Sequence, residues 1–194
     1  MADLAPASPQ ARTLLVFAHP AIERARANWA MAMAGRQVEG VTFHDLYEVY
    51  PDFAVDVPQE QQRLIDHDVI VLQFPLSWFS GPALLKEWLD LVWLHGFAYG
   101  DGFKLEGKTF VCAVSAGDSA HAYKASGANR YTLDEFLRPL QQTAELCRMR
   151  WEPPFSLHCS GYLDAAALKR EGERYQGHLR DVAARASQAL AGVA

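Results

Sequence analysis

The stretch from Val69 to Gly100, VIVLQFPLSWFSGPALLKEWLDLVWLHGFAYG, constrains the fold more than any other part of the chain. Val69 to Phe74 is apolar, with no polar alternation before Gln73, which is the pattern of a strand buried on both faces in a parallel sheet. Pro75 ends the run. After Gly81-Pro82 the period changes: Leu84, Leu85, Trp88, Leu89, Val92 and Trp93 fall on one helical face, while Lys86, Glu87 and Asp90 point away from it. Strand, loop and helix in this order are half of a βαβ unit. The loop Pro75-Leu76-Ser77-Trp78-Phe79-Ser80 is therefore expected at the carboxyl end of a central strand, where open α/β sheets bind ligands.

The rest of the chain supplies matching parts. Thr13 to Ala18 (TLLVFA) and Thr109 to Val114 (TFVCAV) read as buried strands, Val41 to Leu46 alternates as an edge strand does, and Phe155 to Cys159 reads as the last strand. Helices are expected around Trp29, Ala30, Met31 and Ala34, and over Pro58 to Asp66 with Leu64 and Ile65 inward. Thr132-Leu133-Asp134-Glu135 is a capping box opening a helix that Pro139 should kink, with Phe136, Leu137, Leu140 and Ala144 inward. Asp164 caps a final helix with Leu168, Tyr175, Leu179, Val182, Ala186 and Leu190 on its inner face. Five strands alternating with helices predict a doubly wound parallel sheet with right-handed crossovers.

Composition narrows the class. At 194 residues and half apolar, the chain can bury one full core. No run of about 18 apolar residues appears, so no membrane span is expected. MADLAPASPQAR lacks the basic and apolar regions of a secretory signal, and residues 1–12 read as a disordered tail before a domain over 13–194. A net charge of −5 without a basic stripe argues against nucleic acid. Cys112, Cys147 and Cys159 have no metal-ligand spacing, so no metal is expected, and the set fits a reducing cytoplasm.

The string QFPLSWFSGPALLKEWLD, followed by GFAYG, resembles the NAD(P)H:quinone oxidoreductases of the flavodoxin-like fold. That family of small flavoproteins includes the ancillary subunits of glutathione-gated potassium efflux systems. The resemblance runs from about Leu14 to about Tyr162. It implies strand order 2-1-3-4-5, which sets the first, third and fourth strands side by side at a cleft. The loops trailing them are His19 to Asn28, Pro75 to Phe79 and Ser115 to Asp118.

The same resemblance assigns roles. His19 and Asn28 match family positions that touch the flavin's phosphate or ribityl chain, while Ala25 stands where the family has a serine. The strand-to-helix turn itself suits a phosphate, and Arg24 and Arg26 add charge to it. The competing reading is a strand cap followed by a solvated helix start. Pro75, Leu76, Ser77, Trp78 and Phe79 would line the flavin ring, with Trp78 and Phe79 as flat walls; Trp78 also reads as a core tryptophan. Ser115, Ala116, Gly117 and Asp118 replace the family's Thr-Thr-Gly-Gly turn, whose backbone N–H groups face the ring.

Tyr123 matches a family tyrosine aimed at the flavin and the hydride acceptor. The histidine that some members place further on is absent, and Asn129 stands in that region. His121 is a nearby alternative or a plain surface residue. Phe97 and Tyr99 either border the active site or fill the crease between helix and sheet. The tract Tyr47 to Phe53 packs on its own domain or on a partner subunit.

The expected function is two-electron hydride transfer from NAD(P)H through FMN or FAD to a quinone-like acceptor, by ping-pong, with Tyr123 and Tyr99 orienting the acceptor. The short C-terminal end favours FMN. A homodimer is expected, in the cytoplasm or peripheral to the inner membrane. The alternative is a regulatory flavoprotein subunit docked on a potassium efflux antiporter. A one-electron carrier is disfavoured because AHPAIERARAN is not a Ser/Thr-rich phosphate loop.

Overall fold

The computed structural model describes residues 10–192. Residues 1–9 of the expected tail lie outside the described residues. Ala11 is buried and its N–H donates to Ser187 Oγ, and the Arg12 N–H donates to Asp68 Oδ2.

The strands are β1 (Thr13–Phe17), β2 (Val41–Asp45), β3 (Val69–Pro75), β4 (Thr109–Ser115), β5 (Arg150–Trp151) and β6 (Phe155–Leu157). They form one parallel sheet in the order β2-β1-β3-β4-β5, with β6 also pairing β4. β1 and β4 are buried along their whole length, as continuous apolar runs in a sheet covered on both faces must be. The helices are α1 (Arg26–Gly35), α2 (Leu46–Val49), α3 (Val57–Ile65), α4 (Ala83–Val92), α5 (Leu133–Phe136), α6 (Arg138–Leu146) and α7 (Ala165–Ala191). α1 and α7 cover one face, where Leu15, Met31, Val71, Tyr175 and Leu179 share a core. Leu64, Leu72, Trp88, Phe110 and Leu137 share the core on the other.

Four sequence expectations are corrected. The strand expected over Phe155 to Cys159 is shorter, Phe155–Leu157, and an additional two-residue strand, Arg150–Trp151, precedes it; Pro153 and Pro154 keep the two apart because they have no N–H to give the ladder. Pro139 does not kink a helix but opens a new one: Leu137 separates α5 from α6, and proline fits the first turn. Ile65 and Leu190, expected inward, are exposed.

One polar centre inside the core was not foreseen. Glu60 on α3 is fully buried. His44 Nε2 (3.0 Å) and Trp88 Nε1 (2.8 Å) donate to its Oε2, and Tyr50 Oη (2.9 Å) and Arg63 Nε (3.3 Å) donate to its Oε1. Burial acts to raise the carboxyl pKa. The hydrogen bond and charge of His44, with Trp88 and Tyr50, outweigh burial and bring it down to about 2. The carboxylate thereby binds β2, the Tyr47–Phe53 tract, α3 and α4 into one unit. Tyr47 extends it, because its hydroxyl accepts from the Leu84 N–H (3.2 Å) at the start of α4, where Pro82 offers no side-chain cap. This tract therefore packs substantially on its own domain.

Candidate functional site

β1, β3 and β4 lie side by side, so the chain segments leaving their carboxyl ends meet. The ladder continues past the strands: the Ala18 N–H donates to Gln73 O and the Leu76 N–H to Ser115 O, both at 2.9 Å. Asn28, in the first turn of α1 and 2% exposed, is fixed from two directions. Its Nδ2 donates to Ser115 Oγ (2.8 Å), while Gln73 Nε2 donates to Asn28 Oδ1 (2.8 Å) and to its carbonyl (2.7 Å). One amide thus ties α1 to β3 and β4. Gln73 Oε1 is buried without a partner.

His19 closes the β1 end. The Ala21 N–H donates to its Nδ1 (3.2 Å), which leaves the ring proton on Nε2. Burial lowers its pKa, so the ring is neutral at pH 7. Beside it lies a cleft of about 370 Å³ lined by His19, Arg24, Arg26, Asn28, Ser115 and Ser160, with Pro75, Leu76, Gly117 and Gly161. No carboxylate lines it. An Arg-rich, donor-rich wall at the N-terminus of a ten-residue helix suits an anionic phosphate. Nothing stands within 4 Å of where a Cβ would sit on Gly117 or Gly161, so both backbones are open to an approaching group.

The β3 loop is a two-residue hairpin. Ser77 and Ser80 exchange backbone hydrogen bonds at 3.0 Å, with Trp78 (φ 50°) and Phe79 (φ 63°) between them. Both aromatic residues are in the left-handed region, at a cost of about 1–2 kcal/mol each. Trp78 is 95% exposed, which excludes the core reading. Phe79 stacks on Phe136 at 4.8 Å, and Phe136 meets Tyr123 edge-on at 6.1 Å. Tyr123 is buried, and burial raises its hydroxyl pKa, so the phenol stays protonated. Ala116 is buried in the β4 turn, and Asp118 is exposed and accepts from Asn129 Nδ2 at 3.1 Å.

The structure therefore gathers His19, Asn28, Pro75, Leu76, Ser115 and Gly117 around one cleft, with Ser77, Trp78, Phe79, Ala116 and Asp118 on the same two loops. Tyr99 does not join Tyr123. It packs against His95 and lines a separate apolar groove of about 440 Å³ between α4 and α5–α6. Phe136 belongs to both regions. His121 is exposed. Sequence reasoning missed Ser160, Gly161, Phe136 and His158. The first two follow the last strand as a small polar turn, the one signal that pointed to them, and the Ser160 N–H donates to Ala116 O at 3.0 Å. No cluster of metal-ligating side chains occurs among the described residues.

Known proteins are similar to this chain in sequence and fold. The chain is 43% identical over 90% of its length to the glutathione-regulated potassium-efflux system ancillary protein KefG of Cronobacter sakazakii, covering 95% of that protein. It superposes with a TM-score of 0.83 on the general stress protein 14 of Treponema denticola in complex with FMN, at 39% identity over 88% of this chain and 99% of that one. An NADPH-quinone reductase from P. pentosaceus gives a TM-score of 0.79 at 36% identity, over 86% and 96% of the two chains. The family model described as flavodoxin-like fold matches residues 11–179, the span that carries the sheet, the cleft and the aromatic hairpin, and the chain belongs to that family.

Proposed function

We propose that the protein is a flavin-dependent NAD(P)H:quinone oxidoreductase, with FMN as its cofactor. The observation that carries this reading is the junction of three strand ends. A carboxylate-free, arginine-lined cleft there adjoins an exposed aromatic hairpin held in a strained backbone. The first suits a phosphate and the second a flat ring, and the donor set fits a phosphorylated flavin. The two arginines favour a terminal phosphate dianion, and so FMN over FAD; the FMN complex of the Treponema relative agrees.

When bound, the flavin takes hydride from a nicotinamide and passes two electrons on. The chain does the rest. Arg24, Arg26, Asn28 and the α1 N-terminus would hold the phosphate, and His19 Nε2–H would offer a further donor. The N–H groups of Leu76, Ser77 and Ala116 are spent on backbone acceptors, so those of Trp78, Phe79, Gly117 and Asp118 are the ones in these loops that would stabilise negative charge on the ring without adding a formal charge. Trp78 and Phe79 would wall its apolar part. The Tyr123 hydroxyl, kept protonated by burial, donates to the oxygen of the flat acceptor. Nicotinamide and acceptor would use the same side of the site in turn, which is ping-pong catalysis. Tyr99 acts at the edge of this site, by way of the groove it shares with Phe136.

The test is an absorbance spectrum of purified protein with chromatography of the released cofactor, then NADH and NADPH oxidation with a benzoquinone. Bound FMN and quinone-dependent turnover are expected. Protein that stays colourless after soaking in FMN and in FAD overturns the reading. A second reading, a regulatory subunit on a potassium efflux antiporter, rests on the likeness to KefG. No helix among the described residues is long and apolar enough to cross a membrane, so membrane association would go through such a partner. Recovery of an antiporter with the tagged protein, and loss of its activation when the protein is absent, would favour that role. A homodimer belongs to either reading and is checked by light scattering.

A further inference from the structure

The groove between α4 and α5–α6 starts behind the aromatic hairpin. Ser80 closes that hairpin, and Ser80 and Gly81 line the groove at the start of α4. Phe136 lines it too, stacks on Phe79 at 4.8 Å and meets Tyr123 edge-on at 6.1 Å. One end of the groove is therefore continuous with the rings that face the acceptor. From there it follows α4, whose ten residues at about 1.5 Å each give it a length of about 15 Å. Leu85 and Leu89 of α4, Trp93 just beyond, and Leu140 and Leu146 of α6 form its walls. Its polar groups are already spent. Lys86 pairs with Asp90, and Thr143 Oγ1 donates to Pro139 O at 2.9 Å. Burial pushes the Cys147 thiol up to about 11, so it stays neutral, and the Trp93 indole N–H is sealed from solvent. Such a lining cannot read an ion and is suited to a neutral chain. Its volume of about 440 Å³ is that of a small-molecule pocket, for which about 300–1,000 Å³ is usual.

We propose that this groove holds the aliphatic tail of the acceptor, which makes the acceptors lipid-soluble quinones bearing an isoprenoid or alkyl chain. The proposal rests on the quinone reductase reading and narrows its substrate class. With the quinone ring against the hairpin and Tyr123, a tail on that ring leaves past Phe79 and Phe136 and lies along α4. The tail takes no part in electron transfer. It contributes by removing methylene groups from water, equally in the ground state and the transition state. Its effect therefore falls on KM and on kcat/KM, with kcat unchanged. Leu94 and Leu146 at the far end are 46% and 54% exposed, so a chain lying there also covers apolar surface that the fold leaves wet.

The test compares 2,3-dimethoxy-5-methyl-1,4-benzoquinone with decylubiquinone, which has the same ring and a tail, as acceptors for the NADH-reduced holoenzyme. In the unsubstituted protein kcat/KM should favour the tailed quinone by about 10²-fold, through KM. That is well short of full burial of every methylene, because one side of the groove stays open to water. Thr143→Trp fills the groove and Leu140→Gln wets it, and each should lower the ratio of the two kcat/KM values about tenfold or more. 1-Decanol should compete with the tailed quinone and not with the tailless one, and calorimetry should show it binding. Both of these are read on the unsubstituted protein, so the test survives a variant that misfolds. A ratio near one, or a ratio that persists in folded Thr143→Trp, overturns the tail site and leaves the quinone reductase function standing. A dimer that Leu146→Glu splits, with 1-decanol bound by neither form, makes the groove an interface between copies and also overturns the tail site. A holoenzyme that reduces neither quinone overturns both readings.

Discussion

The Glu60 centre and the cleft show two opposite ways of placing polar groups in one small domain. Around Glu60 every oxygen has two donors, and each donor comes from a different piece of chain. At the cleft the accounting is left open: Gln73 Oε1 and His158 Nδ1 have no partner, Trp78 and Phe79 sit at positive φ, and the largest exposed side chain is a tryptophan. A satisfied buried network fixes structure, and an unsatisfied one is a place waiting for a ligand. The two regions are joined by α4, whose first turn is capped from the Glu60 side by Tyr47 and which begins just after the aromatic hairpin.

The largest effect should come from emptying the satisfied centre. Glu60→Ala leaves His44, Tyr50 and Trp88 without an acceptor and should cost about 3–5 kcal/mol of stability, by thermal or urea unfolding. Flavin affinity of the molecules that remain folded should change little. The same centre sets the acid limit. A carboxyl at about 2 in the fold, against an ordinary 4.5, contributes stability that is complete above pH 4.5 and lost as pH falls toward 2. Unfolding should therefore steepen across that window, and the steepening should be absent in the Glu60→Ala protein.

A middle effect should come from Asn28, which touches both worlds. Asn28→Ala takes the donor from Ser115 Oγ and leaves Gln73 Nε2 only the backbone carbonyl of residue 28, at about 1–3 kcal/mol in stability. It should also weaken FMN binding about tenfold, measured by quenching of flavin fluorescence. The smallest effect is of opposite sign. Trp78→Gly relieves a left-handed residue and gives up almost no burial, so the flavin-free protein should gain about 0.5–1 kcal/mol. It should bind FMN less tightly. If Trp78→Gly instead lost stability, the hairpin would be structural and the contrast between the two regions would fail.

The sheet was legible because buried parallel strands are written as unbroken apolar runs, and Thr13 to Phe17, Val69 to Phe74 and Thr109 to Val114 are such runs. The three strand-end loops followed from that order together with the family resemblance. What escaped notice was polar and long-range. Glu60 sits in QEQQR, which reads as a solvated helix face, and its donors come from 3 to 28 residues away along the chain. Its one local clue was an i, i+4 pairing with the buried Leu64. His158 and Ser160 were unreadable for the same reason. Their neighbours Tyr123 and Ala116 belong to another loop, and only the β4–β6 pairing brings them together. Ile65 and Leu190 erred the other way, since an apolar side chain on a periodic helix need not be covered.

The two prolines that divide the outermost strand have a further effect. An outer strand offers a row of free N–H and C=O groups to any passing chain, and long flat ones seed self-association. Here that rim is a two-residue piece and a three-residue piece; in the gap between them the Glu152 N–H is spent on Phe110 O, and Pro153 and Pro154 have no N–H to offer. The interruption that looks like a flaw in the sheet works as a guard against aggregation while the domain folds.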